Sequence, residues 1–300
     1  MLPHFDLERQ RAEEQAEDHV LGAVSPPCIY AIPEAVRLSY IPTGELQFGA
    51  EDFQDCASRG PVNLLEAKFT YAYLNGLMKP ENRQWLRDKG YIQNGKVTFS
   101  DRFVAIGSGT TRSGNSLKAP VDFIYRNGLI PKSMLPKIEG STWEQHHDPS
   151  KVTEEMRALG RQFVARWTIN YERVYTDQFP QELKKDFLDL ALNAWLPPVN
   201  GEYPDPANSP PNHVVAGIKP QTFVADNYID KTDGDFIKKL APNFTFYEYG
   251  YRLPVSKEVT QEEQKTINTV FEVLRQKGLL AFFAKFLEDF TRRMGGIWQN

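Results

Sequence analysis

The 300-residue chain is poor in cysteine and histidine, with two of the first, Cys28 and Cys56, and five of the second. Two thiols cannot build the disulfide framework of a small secreted scaffold. They either bridge one another or stay reduced in a cytosol-like compartment. Basic residues are not in surplus either. Against 39 Asp and Glu stand 35 Lys and Arg, for a net charge of -4, which argues against a nucleic-acid partner. Uninterrupted apolar runs long enough to cross a bilayer are missing. Met1 to Glu8 shows no basic stretch leading into an apolar one, so no signal peptide is read there. No internal repeat is visible.

What is present is an ordinary globular composition, 41% hydrophobic and 25% charged. That suffices for one large domain or two lobes sharing a core. Asp6 to Asp18 is charged and free of Gly and Pro, and reads as a short exposed helix or a solvated arm. Apolar positions from Val62 to Leu77 recur at helical spacing, with Gly76 as a stop. Glu81 to Lys89 reads as a second helix, and Asn94-Gly95 as the turn of a hairpin. Leu117 to Asn127, Thr153 to Tyr175 and Pro180 to Trp195 read as further helices, the first closed by Gly128. Pro197 to Pro211 is rich in Pro, Gly and Asn, and reads as the junction between a helical front half and a β-rich back half. His213 to Ile218, Thr222 to Tyr228, Phe244 to Tyr247 and Tyr249 to Leu253 have strand character. Thr260-Gln261-Glu262-Glu263 fits a capping box ahead of C-terminal helices.

The chemistry-bearing residues fall in a telling order. Cys56 stands at a loop-to-helix junction, where a helix N-terminus lowers a thiol pKa. Far downstream His213 heads an apolar strand, and Asp226-Asn227-Tyr228 follows a short hairpin later. Cysteine, histidine, then Asp or Asn is the set a thiolate nucleophile needs: a thiol, a base, and a group to orient the imidazole. Antiparallel pairing across a three-residue loop sets Asn227 opposite His213, whereas a two- or four-residue loop sets Asp226 there; the register stays open at this level. Cys28, in an extended proline-flanked segment, reads as structural. His146, His147 and Asp148 sit together in a polar stretch, and neighbours in sequence seldom ligate one ion, so no metal is expected. Gly107-Ser108-Gly109 lacks the lysine and the following helix of a phosphate loop, so no nucleotide cofactor is expected.

The run Cys56 to Glu66 resembles the active-site helix of papain-like cysteine peptidases, with a glutamate ten positions after the cysteine. Gly114-Asn115-Ser116-Leu117 through Asn127-Gly128-Leu129-Ile130-Pro131 resembles the glycine-rich substrate loop, helix and turn of that family. Asn212-His213-Val214-Val215 resembles its histidine strand. The pattern is most similar to divergent phage and bacterial members. The resemblance implies Cys56 as nucleophile, His213 as base, Asp226 ahead of Asn227 as orienting group, and Gln47 or Gln54 as oxyanion donor, with Glu45-Leu46-Gln47 favouring Gln47. It implies that Gly114 and Asn115 offer backbone groups to a peptide or protein substrate. It implies a two-lobe α+β fold, helical N-terminal lobe and antiparallel sheet or barrel C-terminal lobe. The expected organisation is an arm over 1–25, a papain-like domain over 26–255 (helical lobe about 45–196, β lobe about 212–255) and C-terminal helices over 256–300. A cytoplasmic or virion-associated location is expected.

Three departures support a second expectation. The tryptophan after the family's cysteine is Ala57 here, Asp55 stands beside the thiol, and Gly60-Pro61 falls in the first turns of the helix, where Pro61 is expected to kink it. These suit an inactive papain-fold structural or assembly protein, for example of a phage particle, with assembly contacts through the C-terminal helices and the apolar run Leu279 to Leu287. Amide hydrolysis or transfer on a non-peptide substrate is a third possibility.

Overall fold

The computed structural model describes residues 5–13, 28–193, 211–220, 222–224, 237–239 and 245–276. These fall into two compact units, 1–258 and 259–300. In chain order the first unit begins with α1 (Leu7–Glu13), a 3-10 turn over Glu34–Tyr40, α2 (Cys56–Leu74) and α3 (Pro80–Asp88). A two-stranded hairpin β1 (Ile92–Gln93) and β2 (Lys96–Val97) follows, then α4 (Asp101–Gly107), α5 (Lys118–Asn127), α6 (Trp143–His146) and α7 (Glu154–Arg166). The remainder is β3 (Trp167–Ile169), β4 (Glu172–Tyr175), α8 (Phe179–Lys185), β5 (Leu188–Leu192), β6 (His213–Lys219), β7 (Thr222–Val224), β8 (Ile237–Lys239), β9 (Tyr249–Arg252) and β10 (Val255–Glu258).

Six of these strands form one sheet in the order β4-β9-β5-β6-β7-β8, all neighbours antiparallel. The sheet is open, with no closed barrel among the described residues. β3 pairs separately with β10. No helix among the described residues is long and apolar enough to cross a membrane.

Two stretches read as helix are partly strand. The helix expected to run to Tyr175 ends at Arg166, and Trp167 to Tyr175 gives β3 and β4. The helix expected to reach Trp195 ends at Lys185, and Leu188–Leu192 becomes the fully buried centre of the sheet. The competing signals are the aromatic and β-branched residues of Trp167-Thr168-Ile169 and Arg173-Val174-Tyr175, and a continuous apolar run in β5, whose two faces are both covered. The sheet therefore draws strands from ahead of the Pro-rich segment. Of that segment only Pro211 is described. Phe244 lies outside the described residues, and Phe246 makes a single bridge to Leu192 rather than a strand.

The local signals elsewhere match. Asn94 (φ 50°) and Gly95 (φ 78°) make the left-handed turn between β1 and β2. Gly76 (φ 68°) and Gly128 (φ 74°) follow the ends of α2 and α5. In the second unit, Thr260 and Glu263 exchange capping-box hydrogen bonds ahead of α9 (Gln261–Gln276). Leu279 to Leu287 lies outside the described residues.

The core of the first unit centres on α2, which is buried on every face. Its apolar residues Leu65, Phe69 and Ala72 join Phe99, Phe163, Trp167 and Tyr91 in an aromatic cluster with ring centroids 5.0–5.9 Å apart. α2 runs unbroken through Pro61. Being enclosed, the helix must pair its charged residues internally. The fully buried Lys68 binds Asp186 Oδ2 and the Leu253 carbonyl, both at 2.7 Å. The equally buried Arg37 spreads its donors over the carbonyls of Ile32, Leu183, Lys184, Asp186 and Ile218. Removing one partner of a buried ion pair leaves the other charge uncompensated. Lys68→Met should therefore lower unfolding stability by about 3–5 kcal/mol in urea titration, whereas exchange of an exposed lysine such as Lys185 should change it by less than about 1 kcal/mol.

Candidate functional site

Cys56 opens α2, with Asp55 as the N-cap residue. The side chain is 2% exposed. Its sulfur is hydrogen-bonded by the backbone N–H groups of Val214 and Ala57. The Val214 contact places the thiol against the residue that follows His213, at the head of β6. His213 pairs with Leu192 of β5 and is itself buried. The ladder alternates: Ala191, Val214 and Ala216 belong to the core around α2, whereas Leu190, Leu192 and Val215 belong to the cluster on the other face. His213 thus starts the strand on the face opposite Val214. Ala216 pairs with Val224 and Gly217 with Phe223, with an irregularity before Lys219↔Thr222. Asp226, Asn227 and Tyr228 lie outside the described residues.

The loop ahead of the helix is built on Asp52. One carboxylate oxygen, Oδ1, accepts from Gln47 Nε2 at 2.8 Å and from the Gln54 N–H at 2.9 Å. The Phe53 N–H closes the turn on the Gln47 carbonyl at 3.0 Å. Gln54 adopts φ 59°, an uncommon conformation for a residue other than glycine. Gln47 and Gln54 are thus brought together beside Cys56, but Gln47 spends its amide N–H on Asp52. Burial pushes the Asp52 carboxyl up to about 7, against the opposing hydrogen bonds from Gln47 and Gln54.

The electrostatics around the thiol reverse the expectation that the helix terminus lowers its pKa. Burial is the largest effect and pushes the Cys56 thiol well up; the Val214 N–H opposes it, and the carboxylates of Asp52 and Asp55 add to it. Asp55 is fully buried. Burial alone would raise its pKa, but the Arg59 guanidinium and the His146 ring together hold it well below the usual carboxylate range. Arg59 Nε lies 3.0 Å from Asp55 Oδ1, and Arg59 Nη2 lies 2.9 Å from Asp101 Oδ2. His146 Nε2 lies 3.3 Å from Asp55 Oδ2. His146 is thus no part of a polar loop: it is buried at the end of α6. Glu66 accepts from the Phe99 N–H at 2.6 Å, and burial raises its carboxyl to about 8.

The glycine- and hydroxyl-rich loop is rigidly tied. Thr111 and Gly114 exchange two backbone hydrogen bonds at 3.0 Å. Asn115 is buried and donates to Ser108 Oγ (2.9 Å) and Thr110 Oγ1 (3.1 Å), while its own Oδ1 accepts from the Ser116 N–H. Its backbone carbonyl accepts from the Asp6 N–H at 3.0 Å, and the Phe5 N–H donates to the Asn212 carbonyl at 3.1 Å. The N-terminal segment therefore lies extended between the substrate-loop candidate Asn115 and the residue preceding His213. Phe5 is buried with its ring edge-on to Tyr247 (5.6 Å). Arg9 binds the carbonyls of Gly109 (2.6 Å) and Ser108 (2.9 Å), and Gln10 accepts from the Leu117 N–H (2.8 Å) and donates to the Tyr249 hydroxyl. The arm expected to be solvated is docked, because its few long polar side chains find backbone partners on the loop.

Asp189, the second residue of β5, had no sequence signal beyond one acid in an apolar run. It is fully buried, burial pushes its carboxyl well up, and neither oxygen has a hydrogen-bond partner among the described residues. It packs under α2 one turn from Cys56: a Cβ built on Gly60 would stand 2.2 Å from Asp189 Oδ1 and 3.1 Å from Val214 Cγ1. Gly60 is therefore the close-approach point of helix and sheet. Gly60→Ala should cost about 1–3 kcal/mol in thermal or urea unfolding, and Asp189→Ala in the same chain should recover most of it. Equal costs of Gly60→Ala in both backgrounds would show that the contact is not the cause.

No protein-family model and no curated protein matches the chain. Among solved structures it is similar to the cysteine protease xylellain from Xylella fastidiosa, at 13% identity over 76% of this chain and 91% of that one, with a TM-score of 0.44. It is also similar to the proform of Amb a 11, a ragweed pollen cysteine protease, at 12% identity over 83% of this chain and 68% of that one, with a TM-score of 0.37.

Proposed function

We propose that the chain is a papain-like, two-lobed cysteine peptidase in which Cys56 is the nucleophile and His213 the base. The observation that carries this reading is the placement of the chain's own residues 5 and 6. They hydrogen-bond through their backbone to Asn115 on one side and, on the other, to Asn212, two residues ahead of the Val214 N–H that bonds the Cys56 sulfur. Backbone pairing to an extended segment is how a cleft grips peptides of varied sequence. In the proposed reaction the Cys56 thiol passes its proton to His213 and attacks a peptide carbonyl. The amide nitrogen leaves with that proton, and water hydrolyses the resulting thioester to release the acid and the free thiol. Gln47 or Gln54, with the N–H groups at the start of α2, would stabilise the oxyanion. Asp226 or Asn227 would orient the ring.

The burial of Cys56 favours a second reading, a papain-fold assembly protein whose thiol is no longer used. One experiment separates them. Residues 5–13 cover the site in this reading, so removal of residues 1–13 should expose Cys56 to water, lower its pKa and raise iodoacetamide labelling near neutral pH severalfold. The truncated protein should cleave unfolded protein substrates, and Cys56→Ala should abolish that cleavage. A folded truncated protein whose Cys56 labels only at alkaline pH, with no cleavage, would establish the second reading. Cleavage that survives Cys56→Ala would refute the role given to this cysteine.

A further inference from the structure

Asp55 occupies the N-cap of α2, yet its carboxylate caps nothing: only its backbone carbonyl accepts, from the Ser58 and Arg59 N–H groups at 2.9 and 3.1 Å. An aspartate at this position ordinarily turns its side chain onto the first helical N–H groups. Here one oxygen is drawn to Arg59 Nε and the other to His146 Nε2. A carboxylate that folded back onto the first turn would stand against the Ala57 N–H, one of the two that bond the Cys56 sulfur, and its charge would oppose the thiolate.

We propose that His146 is a positioning residue: its ring holds the Asp55 carboxylate away from the first turn of α2 and from the Cys56 sulfur. The ring is built to stay in place. It stacks on Phe53, at 3.7 Å between centroids and 7° between planes, two residues ahead of Asp55 on the same loop. Its four-residue helix is closed by the Thr142–Gln145 capping box. Arg102 grips the carbonyls of Gln145 and His146 at 2.8 and 2.6 Å. The His147 ring, 5.0 Å from that of His146, is in turn stacked on Trp143 at 4.4 Å. The charged or titratable groups facing Asp55 are Arg59 and Cys56 from its own helix, His146 and the adjoining His147 from the end of α6, and Asp52 from the preceding loop. Asp101 of α4 and Glu45 reach it only through Arg59, the latter at 3.6 Å. Arg59 is thus shared among three carboxylates, and His146 is the partner that Asp55 does not share with the other two.

The inference rests on Cys56 being the nucleophile, and its test reads the thiol rather than proteolysis. Iodoacetamide labelling of Cys56 in the full chain would be followed from pH 5 to 10 by mass spectrometry. His146→Phe keeps the stack on Phe53 and loses the donor. It should lower the labelling rate at neutral pH by threefold or more, as a rise of about half a pH unit in the thiolate midpoint gives. His146→Gln restores a donor at the Nε2 position and should label like the parent. In Asp55→Asn the carboxylate charge is gone, so adding His146→Phe should produce no further shift. Should His146→Phe not fold, His146→Leu read against His146→Gln carries the same comparison. A folded donor-less variant with an unchanged midpoint, or an equal shift in the Asp55→Asn background, overturns the inference. Because only the shift between variants is read, a parent thiol that proves inert at low pH counts against the peptidase reading and leaves this comparison intact.

Discussion

Complete enclosure of α2 is the constraint from which the rest of the unit follows. Seventeen of its nineteen residues are buried, so the helix cannot be amphipathic in the ordinary way, and every charge on it needs an internal partner. Lys68 takes Asp186, Arg59 takes Asp55 and Asp101, and Glu66 takes the Phe99 N–H and a raised pKa. Apart from Asp55, these partners come from the C-cap of α8, from α4 and from the segment between β2 and α4. The polar side chains of one helix therefore fix the positions of elements on all sides of it. Gly60 permits the closest of these approaches, against Asp189 of the central strand, and so sets the height at which Cys56 meets the head of β6.

That height decides the chemistry available to the thiol. A helix N-terminus and two backbone N–H groups favour the thiolate; desolvation and the neighbouring acids disfavour it, and desolvation is the larger effect. The docked N-terminal segment binds Asn115 and Asn212 through backbone groups, the latter two residues ahead of the Val214 N–H that bonds the sulfur.

Several elements were legible from local signals alone. Asn94-Gly95 demands left-handed dihedrals, and Gly76 and Gly128 end helices for the same reason; Thr260 and Glu263 satisfy each other's backbone without reference to the rest of the chain. The failures have one cause. Trp167 to Tyr175 and Leu188 to Leu192 carry apolar patterns compatible with either helix or strand, and pairing with β10, β9 and β6 decides between them. Of the candidate site, Cys56, Gln47, Gln54, Gly114, Asn115 and His213 were legible as an ordered set. Asp52, His146 and Asp189 were not, because a single acid or histidine carries no signal until a distant segment is packed against it. The docking of Phe5, Arg9 and Gln10 was hidden for the same reason, since its acceptors are backbone carbonyls, which every sequence possesses.

By itself the sequence determined what depends on neighbours along the chain: the turns, caps and helix stops, the placement of a cysteine at the start of a helix and a histidine at the start of a strand, and the lack of a basic surface or a membrane-length apolar run. Only the tertiary structure decided which way ambiguous apolar segments fold, that Asp55 turns to Arg59 and His146 instead of capping its helix, and that the Cys56 thiol is buried with its pKa pushed up. The physical reason is that hydrogen-bond geometry within a turn acts over a few residues, whereas desolvation and charge pairing depend on what the folded chain brings from far away to exclude water.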